Sequence, residues 1–452
     1  MPDRRDDLDS WLEGRIDPLP PPPGTFELIK KRARRRKYRR LAVGAGAAAV
    51  IVAAAVAVPQ IVNLPVLNPT TASGVANGRS SAPAPSASGG ATAASSSASQ
   101  IAPKAAAPVP GNFRPSSVTF IGTQTGWVIG QAGTPGNCAT QFCTSVARTD
   151  DAGKTWTGVP APVTGQADGA TGVSQIRFLN GADGWAFGPQ LYATHDGGHT
   201  WAQVVTDGLR VTDLETVGGR AFALFAACTG SGPAFAAKCT SYSLYSSPAS
   251  ADHWTPVGPA TSGLLGGAAS MVLTEARGYL LAPDGLLYSG PVNGKAPWQP
   301  VAHIPCPVGQ PLADGQPTGA LLAAANTANL VLACASSSAP GTQQAKQIFT
   351  SANGGMTWQN AGAAPSLGLA TSVAASPDGT YVLATGQGID VQPAGSGAWR
   401  AATLNGPAPA GGFGYVGMTT DAQGIALPAD PAVGTVWFTF DGGQTWRPFA
   451  VS

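Results

Sequence analysis

The feature that most constrains this chain is an eight-residue segment written four times: TDDAGKTW at 149 to 156, THDGGHTW at 194 to 201, SANGGMTW at 351 to 358 and TFDGGQTW at 439 to 446. The shared pattern is S/T-x-D/N-x-G-x-T-W. An Asp or Asn side chain accepts hydrogen bonds from backbone N–H groups just ahead of it and closes a turn. The glycine after it adopts positive φ without a Cβ penalty. Thr then restarts an extended strand, and Trp gives that strand a large apolar plate to bury. The segment reads as a hairpin corner, with Asp151, Gly153 and Trp156 in the first copy, Asp196, Gly198 and Trp201 in the second, Asn353, Gly355 and Trp358 in the third, and Asp441, Gly443 and Trp446 in the fourth.

A repeated corner implies a repeated unit, and decayed copies fill the gaps. Taking Trp as the marker gives Trp156, Trp201, Trp254, Trp298, Trp358, Trp399 and Trp446, at intervals of 45, 53, 44, 60, 41 and 47 residues. A second marker, a polar or glycine-bearing turn followed by a short apolar strand, also recurs seven times: at 123 to 130, 182 to 188, 217 to 225, 275 to 282, 327 to 333, 377 to 384 and 422 to 429. A unit of about 48 residues with four short strands has the size of a propeller blade, and it buries its faces only by stacking on neighbours. The expected fold is all-β, a seven-bladed propeller over 113 to 452. With 59 Gly, 40 Pro and only 11% charged residues, the composition also favours turn-rich β structure over helix.

These residues resemble a known family. S/T-x-D-x-G-x-T-W is similar to the BNR or Asp-box repeat of β-propellers. Its combination with x-G-W-x-x-G, as in TGWVIG at 125 to 130, resembles the photosystem II assembly factor-like group of bacterial BNR propellers. The resemblance covers roughly 113 to 452 and implies the fold. Sialidases and some endoglucanases share the box, so it does not separate an enzyme from a scaffold.

Ahead of the repeats the chain changes character. Residues 1 to 58 hold 12 Lys/Arg and 7 Asp/Glu, leaving 26 − 12 = 14 basic and 24 − 7 = 17 acidic residues beyond them, so charge gives no footprint for nucleic acid on the repeats. Nine of the eleven residues from 30 to 40 are basic and run into the uncharged stretch 41 to 58. As a helix that stretch spans about 27 Å, and the basic flank places residues 1 to 40 in the cytoplasm. A retained single-pass anchor is the expectation. A cleaved signal peptide, or a twin-arginine signal at Arg39-Arg40, is the alternative. From 71 to 110, 33 of 40 residues are Ser, Ala, Pro, Gly or Thr, the composition of a tether, and 59 to 112 is expected as linker. The propeller is then extracytoplasmic and monomeric.

In a four-stranded blade the A–B and C–D turns occupy one face, and the B–C loops and connections to the next blade occupy the other. The repeated corners are C–D turns. Repeats 1, 3 and 5 carry long B–C insertions, and the cysteines fall in or beside them: Cys138, Cys143, Cys228, Cys239 and Cys334, with Cys306 in the connection entering repeat 5. Six cysteines permit fifteen pairings, and loop proximity favours 138 with 143, 228 with 239 and 306 with 334. A zinc site is the rival reading, without a CxxC or HExxH spacing to carry it. Stiffened loops gathered on one face make a recognition surface, with Gln141, Phe142, Phe235, Lys238, Gln343, Gln344 and Lys346 as candidate contacts for a protein or glycan partner.

A glycosidase needs two facing carboxylates, and a sialidase needs an arginine cluster with a Tyr and Glu pair. The repeats contain two Glu, Glu215 and Glu275, and arginines without a common position in the repeat. His195 and His199 flank Asp196, but their counterparts in other copies vary and read as solvated turn residues. The sequence assigns no catalytic residue, no cofactor and no metal ligand. It points to a binding or assembly module of the cell envelope, with a glycan-binding or sialidase-like protein as the alternative.

Overall fold

The computed structural model describes residues 107–132, 143–164, 167, 171–229, 239–262, 268–308, 319–334 and 346–452. The apolar stretch 41 to 58 lies outside them. Among the described residues no helix is long and apolar enough to cross a membrane.

Seven antiparallel sheets follow one another along the chain. Blade 1 is β1 (Arg114–Phe120), β2 (Gly126–Ala132), β3 (Cys143–Thr149) and β4 (Thr157–Val159). Blade 2 is β5 (Gln175–Phe178), β6 (Gly184–Phe187), β7 (Leu191–Thr194) and β8 (Ala202–Gln203). Blade 3 is β9 (Arg210–Val217), β10 (Arg220–Cys228), β11 (Cys239–Pro248) and β12 (Thr255–Ser262). Blade 4 is β13 (Ser270–Leu273), β14 (Arg277–Leu281), β15 (Leu286–Pro291) and β16 (Gln299–His303). Blade 5 is β17 (Ala320–Ala324), β18 (Leu330–Cys334), β19 (Gln347–Ser351) and β20 (Gln359–Ala363). Blade 6 is β21 (Ala370–Ala375), β22 (Tyr381–Thr385), β23 (Ile389–Gln392) and β24 (Arg400–Ala401). After β25 (Thr403–Leu404), blade 7 is β26 (Phe413–Met418), β27 (Gly424–Pro428), β28 (Thr435–Thr439) and β29 (Thr445–Ala450).

The core lies between blades. Trp185 and Phe187 of blade 2 pack with Val211, Leu214 and Ala223 of blade 3. The closing seam has the same form: Leu427, Val436 and Phe438 of blade 7 pack with Phe113, Val118, Val128 and Trp156 of blade 1. Among the described residues no strand is exchanged to close the ring, since each blade is one contiguous stretch of chain. Apolar burial across that seam, at about 25 cal/mol per Å², does the closing. Packing also starts upstream of 113, where Ala107 bridges Gly158 on the outer edge of blade 1.

The outer rim is blocked against strand addition. Ala107 covers β4, and β25 pairs in parallel with β29. β12 carries Pro256 and Pro259, and β16 carries Pro300; each removes a backbone donor. β20 bends where Gly362 adopts φ 82°, and β8 and β24 are two residues long.

Candidate functional site

The four repeated turns are built alike. The Thr149 hydroxyl donates to Asp151 Oδ1 at 2.8 Å and accepts from the Gly153 N–H at 3.0 Å. Asp151 Oδ1 also accepts from the Thr155 N–H at 2.9 Å, and Oδ2 from the Thr155 hydroxyl at 2.6 Å. The same bonds recur around Asp196 and Asp441. Around Asn353 the amide instead donates to the Thr357 hydroxyl at 2.8 Å, which reverses one bond and keeps the turn. Burial works against the charges of Asp151, Asp196 and Asp441, but the donated hydrogen bonds outweigh it and hold all three below the usual carboxylate range. These oxygens are committed to their own turns. Among the described residues no three His, Cys, Asp or Glu side chains converge as a metal site would require.

His195 departs from the expectation of a solvated residue. Its Nδ1 lies 2.8 Å from Asp183 Oδ1 and its Nε2 lies 2.9 Å from Asp252 Oδ2. These partners stand 12 and 57 residues away in sequence, so no local pattern announces them. His199, in contrast, engages only its own turn, with Nδ1 2.5 Å from the Asp196 carbonyl.

The innermost strands hold a charged cluster that sequence reading did not assemble. Arg177 on β5 donates from Nε and Nη2 to Glu215 Oε1 on β9, both at 3.1 Å, and from Nη1 to its neighbouring Ile176 carbonyl at 2.9 Å. Asp213, two residues before Glu215 and so on the same side of the strand, accepts from the Met271 N–H of blade 4 at 2.8 Å. Tyr415 of blade 7 lies within electrostatic reach of all three. Burial opposes the Arg177 charge, but Glu215, Tyr415 and Asp213 keep it protonated. Burial, with the Glu215 charge behind it, pushes the Asp213 carboxyl up. The bonds run from blade 2 to blade 3 and from blade 3 to blade 4, which makes the cluster part of the seams. Arg114 and Arg210 begin β1 and β9, opposite Gln131 and Ala226, whereas Arg177 pairs with Trp185 near the far end of its strand. The three arginines on inner strands therefore do not share a level.

The described disulfides stand on the opposite face, where second strands end and third strands begin. Cys228 is bridged to Cys239 and Cys306 to Cys334, as loop proximity anticipates. Cys143 is also disulfide-bonded, and Cys138 lies outside the described residues. Gln141, Phe142, Phe235, Lys238, Gln343 and Gln344 lie outside them as well. Lys346 corrects the expectation of an exposed contact: it is 2% exposed and donates to the Ser366 carbonyl. Burial pulls its ammonium below the usual lysine range, with Asp390 opposing. Asp390 accepts from the Ser366 N–H at 3.0 Å and its hydroxyl at 2.5 Å, so Lys346 and Asp390 together pin the connection from blade 5 to blade 6. On the same face a cavity of about 560 Å³ opens between blades 2 and 3, lined by Pro189, Gln190, Val205, Asp207, Arg210 and Cys228 among others. Val205 beside it is 83% exposed.

No protein-family model matches the chain, and no curated protein does. Among solved structures it is similar to YCF48 bound to D1 peptide, at 15% identity over 74% of this chain and 95% of that one, with a TM-score of 0.45. It is similar to a puromycin hydrolase at 13% identity, over 75% of this chain and 53% of that one, with a TM-score of 0.47. It is also similar to the GH74 enzyme of Niastella koreensis at 13% identity, over 75% of this chain and 66% of that one, with a TM-score of 0.37. The chain thus spans between half and two-thirds of the length of the latter two proteins.

Proposed function

We propose that this protein is a binding or assembly module of the cell envelope, a BNR/Asp-box propeller held outside the cytoplasm by one N-terminal span and recognising a protein partner with its B–C face. The observation that carries the reading is the pair of bridges on one face, Cys228 to Cys239 and Cys306 to Cys334, the first of which also lines the cavity between blades 2 and 3. A bridge that restricts the unfolded loop lowers the ordering cost of binding. The rim is closed to strand pairing, and the carboxylates of the other face are committed to turns, so the B–C face is where a partner finds free groups.

The second reading, a glycan binder or sialidase-like hydrolase, draws on Asp213 and Glu215 lying near Arg177 and Tyr415. Against it, Arg177 is paired with Glu215 and its Nη1 is committed to a backbone carbonyl. The deciding experiment is proximity labelling with the full-length chain beside a version whose three long B–C loops are shortened. Loss of specific partners from the shortened version is the expected result; equal recovery would remove the face from consideration. Release of sugar from glycans by the full-length chain, abolished by E215Q, would establish the second reading instead.

A further inference from the structure

We infer that His195 is a proton-operated staple that closes the seam between blades 2 and 3. Asp183 Oδ2 already accepts from Asn180 Nδ2 at 2.8 Å, and Asp252 Oδ1 already accepts from the Trp185 indole N–H at 3.1 Å. Amide and indole N–H groups only donate, so both aspartates are acceptors on those oxygens. Their remaining oxygens face the two ring nitrogens of His195 at 2.8 and 2.9 Å. With both aspartates ionised, both contacts are hydrogen bonds only when both nitrogens carry protons, that is, when the ring is an imidazolium.

Two further observations place the arrangement outside the ordinary repeat. Asp252 holds φ at 40°, a conformation that a residue with a Cβ adopts at a cost and that the surrounding turn must enforce. The residue equivalent to His195 in blade 1 is Asp150, which bonds Thr125 and Arg148 of its own blade, while blades 5 and 7 carry Ala352 and Phe440 there. Among the four repeated turns, the one at 194 to 201 is the one whose second residue, His195, reaches the next blade by a polar bond.

The groups around the ring set the direction of its response. Asp183 approaches from the A–B turn of blade 2, Asp252 and His253 belong to the C–D turn of blade 3, Asp196 and His199 share the turn with His195, and Arg148 of blade 1 approaches that turn at Gly197. Burial opposes the imidazolium, but Asp183 and Asp252 outweigh it and raise its proton affinity above that of an ordinary histidine. A group raised in the folded state contributes stability that is complete below its unfolded pKa, about 6.5, and is lost as pH rises through the folded value. The staple is therefore closed in mild acid and released at higher pH. Release leaves two carboxylates facing a ring with one proton, at a seam whose opposite face opens into the cavity lined by Pro189 and Cys228.

The test is histidine-selective nitrogen NMR of the full-length chain, with Trp indole N–H exchange read in the same samples. The expected result is that His195 titrates above the ordinary histidine value of about 6.5, with both nitrogens protonated in mild acid. The Trp185 indole N–H then exchanges at least tenfold faster, relative to that of Trp446 in blade 7, once pH passes that midpoint. H195Q should leave this ratio flat with pH. D252N keeps an oxygen for Trp185 but turns an amide donor to Nε2, so it should lower the His195 midpoint, and it serves if H195Q does not fold. A His195 midpoint at or below about 6.5, a flat wild-type ratio, or an unchanged midpoint in D252N would each overturn the staple. Loss of partner binding on the B–C face would not bear on it.

Discussion

The indole of Trp127, on β2 of blade 1, donates at 3.2 Å to the carbonyl of Gly197 in the repeated turn of blade 2. The relationship recurs along the ring. Trp185 of blade 2 donates to Asp252 in the corresponding turn of blade 3, and the Tyr279 hydroxyl of blade 4 donates to the Thr327 carbonyl of blade 5 at 2.5 Å. An aromatic residue on the second strand thus fills the seam with its ring and anchors the next blade with its polar tip, a division that suits Trp and Tyr.

Trp127 separates the two contributions. It is fully buried and stacks on Phe178, with ring centroids 3.8 Å apart and planes 6° apart. Trp127→Ala should cost about 3–5 kcal/mol through the cavity it leaves. Trp127→Phe keeps the stack and orphans the Gly197 carbonyl, a loss of about 1–3 kcal/mol. Denaturant unfolding of the full-length chain measures both; a Trp127→Phe variant as stable as the wild type would show that packing, not the hydrogen bond, joins these blades.

The glycine of the repeated turn has two reasons to be there. Gly153 adopts φ 80°, and a Cβ on it would lie 2.4 Å from the ring of Phe438 in blade 7. Gly208 also has positive φ, 79°, but nothing stands within 4 Å of its missing Cβ. Gly208→Ala should cost about 1 kcal/mol for the left-handed backbone alone, and Gly153→Ala about 1–3 kcal/mol more for overpacking the seam that closes the ring. Melting temperatures of the two variants compare them directly.

The aspartates of the turns make the propeller sensitive to acid. Asp151, Asp196 and Asp441 are held below the usual carboxylate range, so the stability they contribute is present above the unfolded pKa of about 3.9 and is lost as pH falls through their folded values. Converting all three to Asn, the residue already present at 353, should flatten the fall in melting temperature below about pH 4 while leaving the ring folded at neutral pH. A slope as steep as that of the wild type would assign acid unfolding to other groups.

Arg177 and Glu215 form a partly buried pair, with side-chain exposures of 13% and 30%. Removing one partner leaves the other charge uncompensated, so Arg177→Met should cost about 3–5 kcal/mol, while the double variant Arg177→Met with Glu215→Gln should recover part of that loss. A double-mutant cycle on unfolding free energy checks this. Additive losses would mean that Asp213 and Tyr415, and not the pair itself, govern Arg177.

The amino-acid sequence by itself determined the number of blades, the places of the four repeated turns and two of the disulfide pairs. All of these follow from short-range patterns: strand-length apolar runs, Asp and Gly at fixed offsets, and cysteines bracketing one loop or one connection. Only the tertiary structure decided which side chains meet across a seam. Lys346 looks from its neighbours like an exposed loop cation, yet the return of the chain at Ser366 and Asp390 buries it. His195 looks like a solvated turn residue until blade 3 delivers Asp252, and Arg177, Asp213 and Glu215 look scattered until their strands stand side by side. A propeller buries its surface between consecutive units, so its local chemistry is written in each repeat, whereas its charged contacts depend on how far each blade is rotated and shifted against the next. Packing at the seams fixes that geometry, and no periodicity in the chain encodes it.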